Sequence, residues 1–217
     1  HLSSDVQFLF IIGGGLGSQR VNQAVAEALP HLLREFHGLQ VAHVVGRANQ
    51  AEMQQQYSQQ LSAEEQGRVQ VLGFIPDVYR YSGAADVVIS RAGATNLAEF
   101  ALQGKACIVI PSPFLTAGHQ LKNAKYLAEQ GAALVIDESE LAADPNRLAK
   151  QVAQLLHKPD QRTKLSAQLA TFARPQATQE LAQIILDQVQ KSQLKTQAKK
   201  AKDQQSKEST KAHETTP

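Results

Sequence analysis

The chain has 217 residues, 42% of them hydrophobic, which is enough for one complete core with trimmings and too little for two full domains. Its formal charge of +2 is unevenly placed: residues 191–217 hold seven lysines against Asp203, Glu208 and Glu214, leaving a mildly acidic body with no general basic face for nucleic acid. The single cysteine, Cys107, excludes a disulfide framework within the chain and fits a reducing compartment, and no apolar run approaches the roughly 20 residues of a membrane span.

No signal-peptide pattern opens the chain. It starts at His1 rather than Met and runs almost at once into the first predicted strand, Val6–Ile12, as a piece of a longer protein would. That strand ends in IIGGGLGSQRVNQ, where Gly13, Gly14, Gly15 and Gly17 precede a helix predicted over Gln19–Glu35. Glycines there let the backbone turn sharply and approach a ligand, and the N–H groups of the helix start attract an anion such as phosphate. The pattern is neither a P-loop nor a dinucleotide fingerprint, so a plain tight turn competes with diphosphate binding.

A strand at Val41–Val45 and a helix at Gln50–Leu61 follow, then a strand at Val69–Phe74 that runs into GFIPDV. Pro76 suits the first turn of a short helix, Val78–Ser82, which leaves Phe74 and Ile75 at the strand's carboxyl end. A flat base could pack near Phe74 while the Ile75 backbone bonds its edge; ordinary packing is the alternative. The strand Asp86–Ser90 leads into SRAGATNLAEF, in which Gly93 turns the chain and Thr95 or Asn96 caps a helix over Thr95–Gln103. Arg91 and Glu99 then stand at the carboxyl edge, where a carboxylate can accept from the vicinal hydroxyls of a ribose. With Asn96 as cap, Glu99 is instead a capping-box acid.

Beyond the strand Cys107–Ile110, Pro111 and Pro113 hold a loop open before a helix over Gly118–Glu129. Gln120 and Asn123 share a face of it and could read sugar hydroxyls, whereas His119 is either a base or a surface residue. A strand at Ala133–Ile136 and a helix at Pro145–Leu156 complete the alternation. Six strands with intervening helices predict an α/β fold, a Rossmann-like parallel sheet covered on both faces. A helix opening at Lys158-Pro159-Asp160 and running to about Phe172, and an amphipathic stretch at Thr178–Val189, lie outside the βαβ pattern; 191–217 reads as a disordered polar tail.

Four loops at one sheet edge, GGGLGSQRVN, GFIPD, SRAGATNLAEFALQGKACIVIPSP and AGHQLKNAKYL, together resemble the carboxyl-terminal half of the MurG family over about residues 6–157. Those enzymes transfer N-acetylglucosamine from its UDP donor to the lipid-linked muramoyl-pentapeptide of bacterial cell-wall synthesis. The resemblance implies one half of a two-domain GT-B glycosyltransferase: a donor-binding domain at 1–157, carboxyl-terminal helices at 158–190, the tail, and an acceptor domain absent from this chain. It further implies that Ile75 meets uracil through its backbone, Glu99 holds the ribose and Gln120 touches the sugar. Gly14, Gly15 and Gly17 would border the diphosphate, with Arg91, Ala92, Gly93 and Ala94 lining the same pocket.

Gly15 stands where the family commonly has serine, so that hydroxyl is missing or supplied by Ser18. The general base is expected in the absent domain. UDP-N-acetylglucosamine is the expected substrate, with no cofactor and no obligatory metal. The expected partners are the lipid-linked acceptor and cell-wall synthesis proteins rather than nucleic acid, with the whole protein peripheral on the cytoplasmic face of the membrane. Rival readings are a UDP-sugar transferase with another acceptor, a nucleotide-sugar epimerase, and a separate donor-binding subunit needing a partner chain.

Overall fold

A computed structural model describes residues 6–114 and 118–213, with side chains described as far as residue 196. Among these residues, six strands form one parallel sheet: β1 (Phe8–Ile12), β2 (Gln40–Val44), β3 (Val69–Leu72), β4 (Val87–Ser90), β5 (Cys107–Val109) and β6 (Leu134–Val135). Their spatial order is β3-β2-β1-β4-β5-β6. The helices are α1 (Gln19–Glu35), α2 (Gln50–Gln60), α3 (Ala63–Gln66), α4 (Val78–Ala84), α5 (Ala94–Leu102), α6 (His119–Glu129), α7 (Glu138–Ala143), α8 (Arg147–His157), α9 (Pro159–Ala170) and α10 (Ala177–His213). This is the parallel α/β architecture that the alternation of apolar runs predicts.

The pleat sorts each strand between two cores. Leu9 and Ile11 of β1 enter one with Val25, Leu29 and Leu32 of α1 and Leu148, Val152 and Leu155 of α8. Phe8, Phe10 and Ile12 enter the other with Leu97 and Phe100 of α5 and Leu127 of α6. Alternate side chains point to opposite faces, so a strand apolar at every position needs helices on both sides. Phe10 and Phe100 are fully buried, each contributing about 2–3 kcal/mol of transfer free energy.

Parallel pairing places all the carboxyl ends on one edge. Strand order reverses between β1 and β4, where Ile12 lies opposite Ser90. From this point the chain leaves β1 toward α1 in one layer and β4 toward α5 in the other. A crevice at such a reversal is where open α/β sheets receive ligands.

Two short helices depart from the predicted elements. Both α3 and α7 are closed by capping boxes, Ser62 with Glu65 and Asp137 with Glu140, whose spacing is present in the sequence. The compact body extends to Ala173. Helix α9, which the sequence groups with the last helices, instead packs into this body, with Leu165 in one core and Leu169 in the other.

A second unit begins at Arg174. Within it α10 continues to His213, through a stretch whose composition predicts an unstructured tail. Gln, Lys and Ala are good helix formers, and no Gly or Pro interrupts 177–213. Leu181, Ile184, Ile185 and Val189 of α10 are all exposed. No helix of the described residues is long and apolar enough to cross a membrane.

Candidate functional site

The turn after β1 uses its glycines for two purposes. Gly17 has φ +79°, and a Cβ on it would lie 2.0 Å from the carbonyl oxygen of Val45. The loop after β2 makes the reciprocal demand, since a Cβ on Gly46 would lie 2.3 Å from Leu16 O. The two backbones therefore touch, and Asn22 Nδ2 and Asn49 Nδ2 both donate to Val45 O, at 2.9 and 2.8 Å, to hold them there. By contrast, nothing stands within 4 Å of where a Cβ on Gly14 or Gly15 would be. That side of the turn is open to a ligand.

Ser18 caps α1, its Oγ accepting from the Val21 N–H at 3.4 Å. The same oxygen accepts from Arg91 Nη2 at 2.5 Å, which joins the loop after β1 to the loop after β4 across the strand reversal. Arg91 Nη1 donates to Ile110 O at 3.1 Å, at the end of β5. The Glu138 carboxylate, on the first residue of α7, lies 2.6 Å from Arg91 Nη2 and 3.2 Å from Arg20 Nε. Arg91 is buried, so its charge is matched inside the protein rather than presented to solvent. Its guanidinium braces four strand ends.

Helix α5 starts one residue earlier than the sequence predicts. Its cap is Gly93, in an extended conformation, with Ala94 first in the helix, and neither Thr95 nor Asn96 caps it. Glu99 consequently sits in the second turn, which removes the capping-box role. Among the described residues its carboxylate has no hydrogen-bond or ion-pair partner. With no side-chain cap, the first N–H groups of α5 are left without an intrahelical acceptor, and a Cβ on Gly93 would meet nothing within 4 Å. Ala92 is buried beneath this turn.

On the other side of the reversal, Phe74 is 48% exposed with the Arg47 guanidinium 4.3 Å from its ring centre, while the Ile75 side chain is buried. Pro76 stands just outside α4, before its cap Asp77, rather than in the first turn. Gln120 and Asn123 of α6 are partly engaged: Gln120 Oε1 accepts from Ser112 N at 2.9 Å, and Asn123 Nδ2 donates to Ala92 O at 3.1 Å. Each keeps its other amide atom free of partners among the described residues. His119 is exposed at the start of α6. Among the described residues it has no acidic partner.

Glu138, Asn22 and Gly46 also shape this edge of the sheet, although motif and spacing do not single them out. Glu138 had a signal, an acid opening a helix directly after the last strand. Asn22 had one also, a polar residue on the apolar stripe of α1. Among the described residues, no three His, Cys, Asp or Glu side chains gather as a metal site would.

Residues 8–181 match the glycosyltransferase family 28 C-terminal domain. The chain belongs to this family. A UDP-N-acetylglucosamine--N-acetylmuramyl-(pentapeptide) pyrophosphoryl-undecaprenol N-acetylglucosamine transferase of Geotalea daltonii is 37% identical over 182 residues, covering 83% of this chain and 46% of the relative. The chain thus spans about half the length of such curated relatives. The crystal structure of Acinetobacter baumannii MurG superposes with a TM-score of 0.69 at 30% identity, covering 85% of this chain and 51% of that one. The S. aureus MnaA–UDP structure reaches a TM-score of 0.62 at 11% identity, covering 82% of this chain and 45% of that one, and shares the fold alone.

Proposed function

We propose that this chain is the donor-binding half of an inverting glycosyltransferase that moves N-acetylglucosamine from UDP to the lipid-linked muramoyl-pentapeptide. The observation that carries the reading is the pairing at the strand reversal. Ile12 and Ser90 are neighbours, so the open glycine turn and the uncapped start of α5, with Glu99 one turn further on, follow adjacent strands at the same edge of the sheet. Family membership and the names of the relatives supply the chemistry.

In this reading the diphosphate lies over Gly14, Gly15 and Gly17 against the start of α1, and the N–H groups of Ala94, Thr95 and Asn96 meet it from the other side. Glu99 accepts from the two ribose hydroxyls. The uracil edge bonds the Ile75 backbone while Phe74 offers its ring. Gln120, Asn123 and His119 border the sugar, with Arg91, Ala92 and Gly93 framing the pocket. The acceptor hydroxyl attacks the anomeric carbon from the face opposite UDP, the bond from that carbon to the diphosphate oxygen breaks, and configuration inverts. Charge gathers on the departing diphosphate, where fixed main-chain donors are most effective and no obligatory metal is invoked.

The base that receives the acceptor proton, and the surface that meets the lipid, belong to the half of the relatives that this chain does not match. The whole enzyme would work peripherally at the cytoplasmic face of the membrane, among other cell-wall synthesis proteins. Calorimetry with UDP-N-acetylglucosamine tests the donor site. Micromolar to millimolar affinity is expected, falling about tenfold or more in Glu99→Ala as two hydrogen bonds to a charged acceptor are lost. Unaltered affinity in that variant would remove Glu99 from the pocket.

A further inference from the structure

Ser18 is more than a helix cap. Its Oγ accepts from the Val21 N–H at 3.4 Å and from Arg91 Nη2 at 2.5 Å. A hydroxyl offers two acceptor positions and one proton to donate. With both acceptor positions taken, the O–H must point away from Arg91 and from the Val21 N–H, and it meets no acceptor among the described residues.

Arg91 is held in this task from two further directions. Nη1 donates to Ile110 O at 3.1 Å, and Nη2 lies 2.6 Å from the enclosed carboxylate of Glu138. The second oxygen of that carboxylate lies 3.2 Å from Arg20 Nε, a second ion pair. Glu138 matches the guanidinium charge, so what Arg91 contributes at Ser18 is orientation.

We infer that Ser18 is a hydrogen-bond donor to a diphosphate oxygen, and that Arg91 and Glu138 are positioning residues that fix its hydroxyl in that role. The inference rests on the donor-site reading. Ser18 lies between Gly17 and the first N–H groups of α1, beside the open face of Gly14 and Gly15, so an anion there meets the hydroxyl proton together with main-chain donors. A hydroxyl free to rotate would spend part of its time as an acceptor, which an anion repels. The ion pair removes that option.

The test titrates the full 217-residue chain with UDP by calorimetry and with uridine by ligand-observed NMR. Ser18→Ala is expected to weaken UDP about tenfold and leave uridine unchanged, as one charge-assisted hydrogen bond is lost. Ser18→Gly, which serves well as a cap, is expected to lose as much, and Ser18→Thr to retain wild-type affinity. Glu138→Gln is expected to weaken UDP about fivefold when Ser18 is present and to have no further effect on Ser18→Ala, a coupling that a purely structural role would not produce.

UDP affinity within twofold of wild type in Ser18→Ala, or a parallel loss of uridine, overturns the role of Ser18. Equal effects of Glu138→Gln in both backgrounds overturn the role of the ion pair. The Ser18 variants decide the matter if Glu138→Gln does not fold. A wild-type chain that binds no UDP overturns the donor site itself and this inference with it.

Discussion

Arg91 and Glu138 approach to 2.6 Å with both side chains almost wholly enclosed, linking the end of β4 to the start of α7. Each charge is acceptable there because the other is present. Removing one partner strands a charge in a poorly solvated site, whereas removing both does not. Glu138→Ala is expected to lower stability by about 3 kcal/mol in urea unfolding, and the double variant Arg91→Met/Glu138→Leu by clearly less. A loss below about 1 kcal/mol in the single variant would mean the pair is effectively solvated.

His43 is fully buried in β2 with Nδ1 2.8 Å from the Tyr57 hydroxyl. Burial lowers its pKa from 6.5 to about 3 and raises that of Tyr57. The folded protein therefore keeps His43 neutral where the unfolded chain takes up a proton, and stability falls as pH drops through 6.5 toward 3. By linkage the loss is about 2 kcal/mol at pH 5. Urea midpoints of wild type and His43→Leu, compared at pH 7.5 and pH 5, isolate this term; an equal change in both proteins would refute it.

Gly17 and Gly15 are expected to differ sharply in their tolerance of the same substitution. At Gly17 a Cβ would collide with Val45 O, and φ is +79°, so Gly17→Ala is expected to cost about 3 kcal/mol. At Gly15 the space is open, and Gly15→Ala is expected to change stability by no more than about 0.5 kcal/mol. Thermal unfolding of the two variants side by side separates a glycine that packing requires from one that packing leaves free.

Cys107 is enclosed within β5, and burial pushes its thiol up to about 12. A thiolate-seeking reagent needs both exposure and ionisation. Labelling is expected to proceed only as fast as the sheet opens and to accelerate across the urea transition. Rapid labelling of the native protein would show that β5 opens locally.

Local rules were enough wherever the physics is local. The bounds of α1, Gln19–Glu35, follow from a serine cap and an apolar stripe, and β1 is legible because every residue from Phe8 to Ile12 is apolar. The start of α5 departs from the sequence expectation for an equally local reason. Sequence favours a side-chain cap at Thr95 or Asn96, while the protein starts that helix on Gly93 and leaves its N–H groups open. Leaving helix-start donors unsatisfied is unfavourable in an empty protein and useful in one that holds an anion.

From its sequence alone this protein is committed to alternating strands and helices, and hence to a set of loops at one edge of a parallel sheet. Periodicity and turn chemistry act over a few residues and need no knowledge of neighbours. Which charged groups are paired inside the protein was decided by tertiary structure. The pairing of β1 with β4, of β4 with β5 and of β5 with β6 brings Ser18, Ile110 and Glu138 around Arg91 and turns its guanidinium inward. Glu99, by contrast, is left unengaged. A guanidinium takes the carboxylate and carbonyls within its reach, and what lies within reach depends on how distant segments register across the sheet.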